Sequence, residues 1–183
     1  MTTALIIVDV QNDYFARGAM ELVGMEAAAG VCQRLLTAFR AVQQPVFHIQ
    51  HLSNRPGANF FLPDTRGAEI HESVRPIAGE ALLVKHFPSA FRDTDLHPLL
   101  QQERIDELVI CGAMTHMCID TTVRAAFDLG YRCNVIADAC ATRDLEFDGK
   151  TIAAAEVQTA FMAALSLPFA RVLSSTEFLD QHG

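Results

Sequence analysis

Apolar residues in this chain fall into short unbroken runs that alternate with stretches of 3.6-residue periodicity. Ala4 to Val10 is such a run, β-branched at its centre, and it ends on Asp9-Val10-Gln11-Asn12-Asp13. It reads as a buried parallel strand with a polar loop at its carboxyl end. A helix is predicted over about Met25 to Val42, with Val31, Leu35, Phe39 and Val42 on one face. Further strands are predicted over Pro45–Gln50, Ala81–Lys85, Leu108–Cys111, Arg132–Ala137 and Arg171–Leu173. Helices are expected over Asp95–Glu103, from about Phe147 to Leu165, and in a terminal turn from Thr176. Residues 51–80 show little periodicity and carry several Pro and Gly, the mark of a functional or mobile loop. Strand–helix alternation of this kind calls for an α/β fold. We expect a Rossmann-like, three-layer αβα sandwich around a six-stranded, mainly parallel sheet. No repeat, linker or low-complexity tract divides residues 1–183, so one domain is expected.

One stretch combines a strand with chemistry. Leu108-Val109-Ile110-Cys111 runs into Gly112, and a helix follows with Ile119, Val123, Ala126 and Phe127 at i, i+4, i+7 and i+8. Gly130 stands where a left-handed C-terminal cap is expected. If Thr115 caps the helix, Cys118 lies in its first turn, where free amides and the helix dipole favour a thiolate. A thiolate at a strand-to-helix turn holds a nucleophile's position. Small-residue core packing is the alternative for this cysteine.

Composition narrows the partners. The formal net charge is -8, and no basic run interrupts it, which argues against nucleic acid and anionic membranes. No apolar stretch is long enough to span a bilayer, and no positive segment precedes the first apolar run. The five cysteines, Cys32, Cys111, Cys118, Cys133 and Cys140, are odd in number and form no C-x-x-C pair. Reduced thiols and a cytoplasmic location are the expectation.

In parallel sheets, ligands bind beyond the carboxyl ends of the strands. Asp9, Lys85 and Cys118 all lie at or just past such ends. Each alone is compatible with a cap, a solvated strand end or core packing. A carboxylate, an ammonium and a thiol on one rim are together less easily assigned to packing. No G-x-G-x-x-G or Walker-type sequence is present.

At these residues the sequence resembles the isochorismatase-like cysteine hydrolases, which include nicotinamidases and N-carbamoylsarcosine amidohydrolases. Three segments carry the resemblance: Leu5 to Phe15 (LIIVDVQNDYF), Lys85 to Phe91 (KHFPSAF), and Gly112 to Cys118 (GAMTHMC) with Thr121, Thr122 and Ala125. The resemblance implies a catalytic triad of Asp9, Lys85 and Cys118, and a non-proline cis peptide between Ala113 and Met114. It implies an oxyanion hole from the amides of Met114 and Cys118, and a homo-oligomer, dimer or larger. Asp9 would act as the base, with Lys85 keeping it ionised and lowering the thiol pKa.

The chain departs from nicotinamidases where they hold a metal through Asp-x-His. Here Phe47-His48-Ile49-Gln50-His51-Leu52 has no carboxylate at that place. Although His71 offers a third imidazole, no metal and no cofactor are expected. The substrate-binding candidates are Phe15, His51, Asn59, Phe60, Phe87, Phe91 and Met117, with Phe61 beside them. They suggest a small, partly apolar amide. The expected activity is hydrolysis of an amide, carbamoyl or lactam C–N bond through a thioester-like intermediate. The alternatives are isochorismatase-type ether hydrolysis, a catalytically silent binding subunit, and a redox role for Cys118.

Overall fold

A computed structural model describes residues 2–182. In chain order the elements are β1 (Thr3–Val8), α1 (Met25–Ala41), β2 (Val46–His51), β3 (Ala81–Lys85), α2 (Leu96–Gln102), β4 (Glu107–Ala113), α3 (Asp120–Asp128) and β5 (Arg132–Ala141). A hairpin of β6 (Leu145–Phe147) and β7 (Lys150–Ile152) follows, then α4 (Ala154–Leu165), β8 (Arg171–Leu173) and α5 (Ser175–His182). Six strands form one sheet in the order β3-β2-β1-β4-β5-β8, and every neighbouring pair runs parallel.

The unbroken apolar run of β1 follows from its central place in this sheet. Leu5 and Ile7 face one core with α1 and Phe178 of α5, whereas Ala4, Ile6 and Val8 face a second core with α2, α3 and α4. Both faces are covered, and the result is three layers. Strand order reverses between β1 and β4, since β2 and β3 lie on one side of β1 and β4, β5 and β8 on the other. The crevice beyond the carboxyl ends of β1 and β4 is therefore where a ligand site belongs.

The structure differs from the periodicity reading in several places. Residues 145–152 form a hairpin, and the helix placed from about Phe147 begins only at Ala154. Asp148 and Gly149 have φ of 51° and 70°, the paired positive values of a tight hairpin turn, so Asp-Gly overrides the helix pattern. Strand β5 runs past the expected Ala137 to Ala141, so Cys140 lies in a strand, paired in register with Gly112. The outermost positions of two helical stripes, Val42 and Phe127, are exposed. Among the described residues no helix is long and apolar enough to cross a membrane.

Candidate active site

Asp9 follows β1 in a left-handed conformation, φ 52°, which turns its side chain out of the strand while its amide still donates to the Ile49 carbonyl at 3.0 Å. A non-glycine residue at positive φ is uncommon and collects at functional sites. Lys85 ends β3 and is fully buried, so it is not a solvated strand end. Its ammonium donates to Asp9 Oδ2 at 2.7 Å, to His51 Nδ1 at 2.8 Å and to Cys118 Sγ at 3.3 Å. A lysine ammonium has three donors, and here each has one acceptor. The structure thus brings together the three residues that the sequence placed on one rim.

His51 is the acceptor that completes this set. Gln11 holds it: the Gln11 carboxamide accepts from the His51 amide at 2.8 Å and donates to the His51 carbonyl at 2.8 Å. Gln11 is itself completely buried and also donates to the Ala68 carbonyl. Sequence reasoning quoted Gln11 without giving it a role. The glutamine two positions past Asp9, in a loop facing β2, was the available signal.

Burial sets the protonation states. It pushes the Cys118 thiol up, with the Asp9 carboxylate adding to the effect, and the Lys85 ammonium offsets this only partly. The resting group is therefore a thiol, contrary to the thiolate expected from the helix terminus. Burial also raises the Asp9 carboxyl, against the pull of Lys85, which makes it a stronger base than an ordinary aspartate. Asp9 Oδ1 is buried and has no hydrogen-bond partner. An acceptor on Asp9 lies within 4.8 Å of Cys118 Sγ. Burial, then the charge on Lys85, hold His51 down to about 3, so its ring is neutral and Nδ1 accepts.

The turn that carries Cys118 starts at Gly112, with φ 120°. A Cβ there would overlap the Val8 carbonyl oxygen of the neighbouring strand, so the close approach of β1 and β4 requires glycine. The Ala113–Met114 peptide is cis. Residues Thr115–Ile119 form one wide π-helical turn ahead of α3, and both the Met117 and Ile119 amides donate to the Met114 carbonyl. Thr115 does not cap this helix. It is fully buried, and its hydroxyl lies 3.2 Å from the Ala141 carbonyl and 2.6 Å from Gln158 Oε1, tying the turn to β5 and α4.

Cys118 opens into a cavity of about 250 Å³. Tyr14, Phe60, Phe61 and Phe87 supply aromatic walls, and His51, His86, Arg55, Pro88 and Met117 complete the lining. Tyr14 and Phe61 pack at 4.5 Å between ring centres, and Phe60 and Phe61 at 5.0 Å. The Phe61 amide donates to the buried Asp13 carboxylate at 2.6 Å, which fixes this wall from behind. The Thr122 hydroxyl accepts from the Ala90 amide at 3.0 Å and anchors the segment after Lys85 onto α3.

His51, Phe60, Phe87 and Met117 thus line the cavity, whereas Phe15, Asn59 and Phe91 do not. Phe15 stacks on His71 at 3.7 Å, because the 3₁₀ turn Asn12–Tyr14 sends Tyr14 inward and the next residue away. Phe91 stacks on Tyr131 at 6.1 Å, and Asn59 is exposed. Tyr14, His86 and Pro88 were not named as site residues. Two of them, His86 and Pro88, sit within three residues of Lys85, and Tyr14 immediately precedes Phe15.

The imidazoles read as possible metal ligands do not converge. Three positions apart on a strand, His48 and His51 face opposite sides of the sheet. His48 is buried and pairs with Glu80 at 2.8 Å, and His71 Nδ1 lies 2.9 Å from the Ser73 hydroxyl. Asp9, His51 and Cys118 do offer ligand atoms within 4.8 Å of one another. The Lys85 ammonium already bonds all three, so a divalent ion could join them only by displacing it.

A buried aspartate, lysine and cysteine thus stand beside an aromatic cavity at the carboxyl ends of the parallel strands. The Isochorismatase domain model matches residues 3–177, and the chain belongs to that family. An isochorismatase family protein of Bacillus subtilis, YddQ, whose function is uncharacterised, is 51% identical over 179 residues, covering 98% of this chain and 99% of its own. A crystal structure of an Oleispira antarctica isochorismatase-type hydrolase superposes with a TM-score of 0.94 at 52% identity, covering 98% of this chain and 96% of that one. The nicotinamidase of Escherichia coli is 31% identical over 175 residues, covering 75% of this chain and 82% of its own.

Proposed function

We propose that this protein is a cysteine-dependent hydrolase that cleaves a C–N bond in a small amide, carbamoyl or lactam substrate. The single observation that carries the reading is the Lys85 ammonium bonded at once to Asp9, His51 and Cys118. Relatives named for amide hydrolysis, nicotinamidase among them, support the C–N choice.

The steps follow from the protonation states. Asp9 takes the thiol proton of Cys118 as the sulfur attacks the substrate carbonyl carbon. The amides of Met114 and Cys118 hold the resulting oxyanion, an interaction of a kind worth about 10²–10³ in rate for one donor. As the C–N bond breaks, Asp9 returns the proton to the leaving nitrogen. A thioester-like intermediate remains on Cys118. Water then attacks its carbonyl carbon, Asp9 takes the proton from that water, and the sulfur leaves and is reprotonated. Lys85 stays cationic throughout and offsets the charge on Asp9 and, transiently, on sulfur.

Acid quenching during turnover, followed by intact-protein mass measurement, tests this. A mass increase equal to the acyl part of the substrate, absent from Cys118→Ala, is expected. Turnover without any adduct, in a variant lacking the sulfur, would overturn it.

A further inference from the structure

Two histidines line the cavity, and the mechanism above gives neither of them a contact with substrate. Their partners fix opposite hydrogen-bonding characters. His51 Nδ1 receives the Lys85 ammonium, so this nitrogen is an acceptor and the ring proton resides on Nε2. His86 Nδ1 lies 2.8 Å from the Leu52 carbonyl, which can only accept, so here Nδ1 carries a proton, and in the uncharged form of the ring the lone pair is on Nε2. Neither Nε2 atom is buried, and neither has a hydrogen-bond partner among the described residues. Both rings line the same aromatic cavity. The two reach it from neighbouring segments: His51 ends β2 and His86 directly follows β3, and Leu52 ties them, its amide donating to the Lys85 carbonyl at 3.0 Å and its carbonyl lying 2.8 Å from His86 Nδ1.

We propose that these two rings form a donor–acceptor pair that selects a substrate with a second –C(=O)–NH– edge besides the bond attacked by Cys118. The His51 Nε2–H donates to the carbonyl of that edge, and the His86 Nε2 lone pair accepts its N–H. The flat walls of Tyr14, Phe60, Phe61 and Phe87 suit a planar ligand, and about 250 Å³ admits one of a few heavy atoms to a small ring. Ureides, imides and diamides have this edge. Simple monoamides and esters lack it, and a buried polar pair left without partners discriminates against them. The pair concerns the same site as the hydrolase reading, but it is a recognition claim and can be tested without chemistry.

Calorimetric binding to the Cys118→Ala protein at pH 8 separates the two. The probes are succinimide, which has one N–H flanked by carbonyls, and N-methylsuccinimide, in which a methyl group replaces that hydrogen. Succinimide is expected to bind about tenfold more tightly, the effect of roughly one uncharged hydrogen bond. His86→Asn retains a nitrogen donor to the Leu52 carbonyl but removes the Nε2 acceptor. In that background the preference for succinimide is expected to vanish. Equal binding of both probes, or no binding of either, overturns the pair. So does a preference that survives His86→Asn. If the preference is found but the wild-type protein hydrolyses no amide, the hydrolase reading fails and the recognition pair stands.

Discussion

Nζ of Lys85 lies 2.8 Å from Nδ1 of His51, closer than it lies to the Cys118 sulfur at 3.3 Å. His51 is therefore part of the charge arrangement and not only a wall of the cavity. Its neutral ring takes the third ammonium donor that would otherwise be buried without a partner, an omission that typically costs about 1–3 kcal/mol.

Replacing His51 by two residues of similar size separates these roles. In His51→Asn the amide oxygen stands near the place of Nδ1 and still accepts from Lys85. His51→Leu offers nothing. The leucine variant is expected to lose about tenfold more kcat than the asparagine variant, because only it leaves Lys85 misdirected. Equal kcat in the two variants would make His51 a wall residue alone.

Acid should silence the enzyme at an unusually high pH for an aspartate base. The proposed mechanism needs Asp9 deprotonated, and burial raises its carboxyl above the ordinary 3.8. The kcat/KM profile is therefore expected to fall in an acid limb displaced upward from the ordinary 3.8 of an unperturbed aspartate. His51, held near 3, contributes nothing to that limb. An acid limb at or below the ordinary 3.8 would remove Asp9 as the base.

Lys85→Met should abolish turnover without unfolding the chain. Loss of the ammonium leaves the Asp9 carboxylate buried and alone, and breaking a buried pair costs roughly 3–5 kcal/mol when the remaining group stays charged. Asp9 can avoid most of that by taking a proton, which its environment already favours. Circular dichroism is expected to show a folded protein with kcat at least about 10³-fold lower. Retained turnover would take Lys85 out of the machinery.

Far from the site, Glu80 is the polar tie between α1 and the sheet. It accepts from Arg40 at 2.6 and 2.8 Å, from His48 Nε2 at 2.8 Å and from the Ile77 amide at 3.0 Å. These partners outweigh burial and hold its carboxyl at about 2, below the usual 4.5. A depressed carboxyl stabilises the fold above its unfolded-state pKa, and that contribution disappears as pH falls from about 4.5 toward 2. Glu80→Ala is expected to lose on the order of 3 kcal/mol in urea unfolding at pH 7. The gap to the parent protein should narrow at pH 3. A gap that is constant with pH would mean that packing, not charge, gives Glu80 its weight.

What the sequence made legible follows from where each signal lies. Asp9, Lys85 and Cys118 could be read because each stands at the carboxyl end of an apolar run, and a parallel sheet gathers such ends on one rim. Phe15 was taken for Tyr14 because a single 3₁₀ turn decides which of two adjacent aromatics faces inward, and periodicity does not resolve one residue. His86 and Arg55 enter the cavity through loop geometry that has no period. The hairpin at 145–152 was hidden by the Ala-rich run after it, although Asp148-Gly149 was visible as a turn signal. The state of Cys118 was misjudged for a different reason. Helix position argues for a thiolate, but burial among Ile, Val and Phe side chains opposes it, and burial cannot be summed from a local segment.

The most direct test of the central claim is amine or ammonia release from a panel of small amides, ureides and lactams by the wild-type protein and by Cys118→Ala. Release by the wild-type protein, lowered at least about 10³-fold in the variant, is the predicted result. Turnover that survives loss of the sulfur would contradict cysteine catalysis and point to chemistry that needs no nucleophilic thiol.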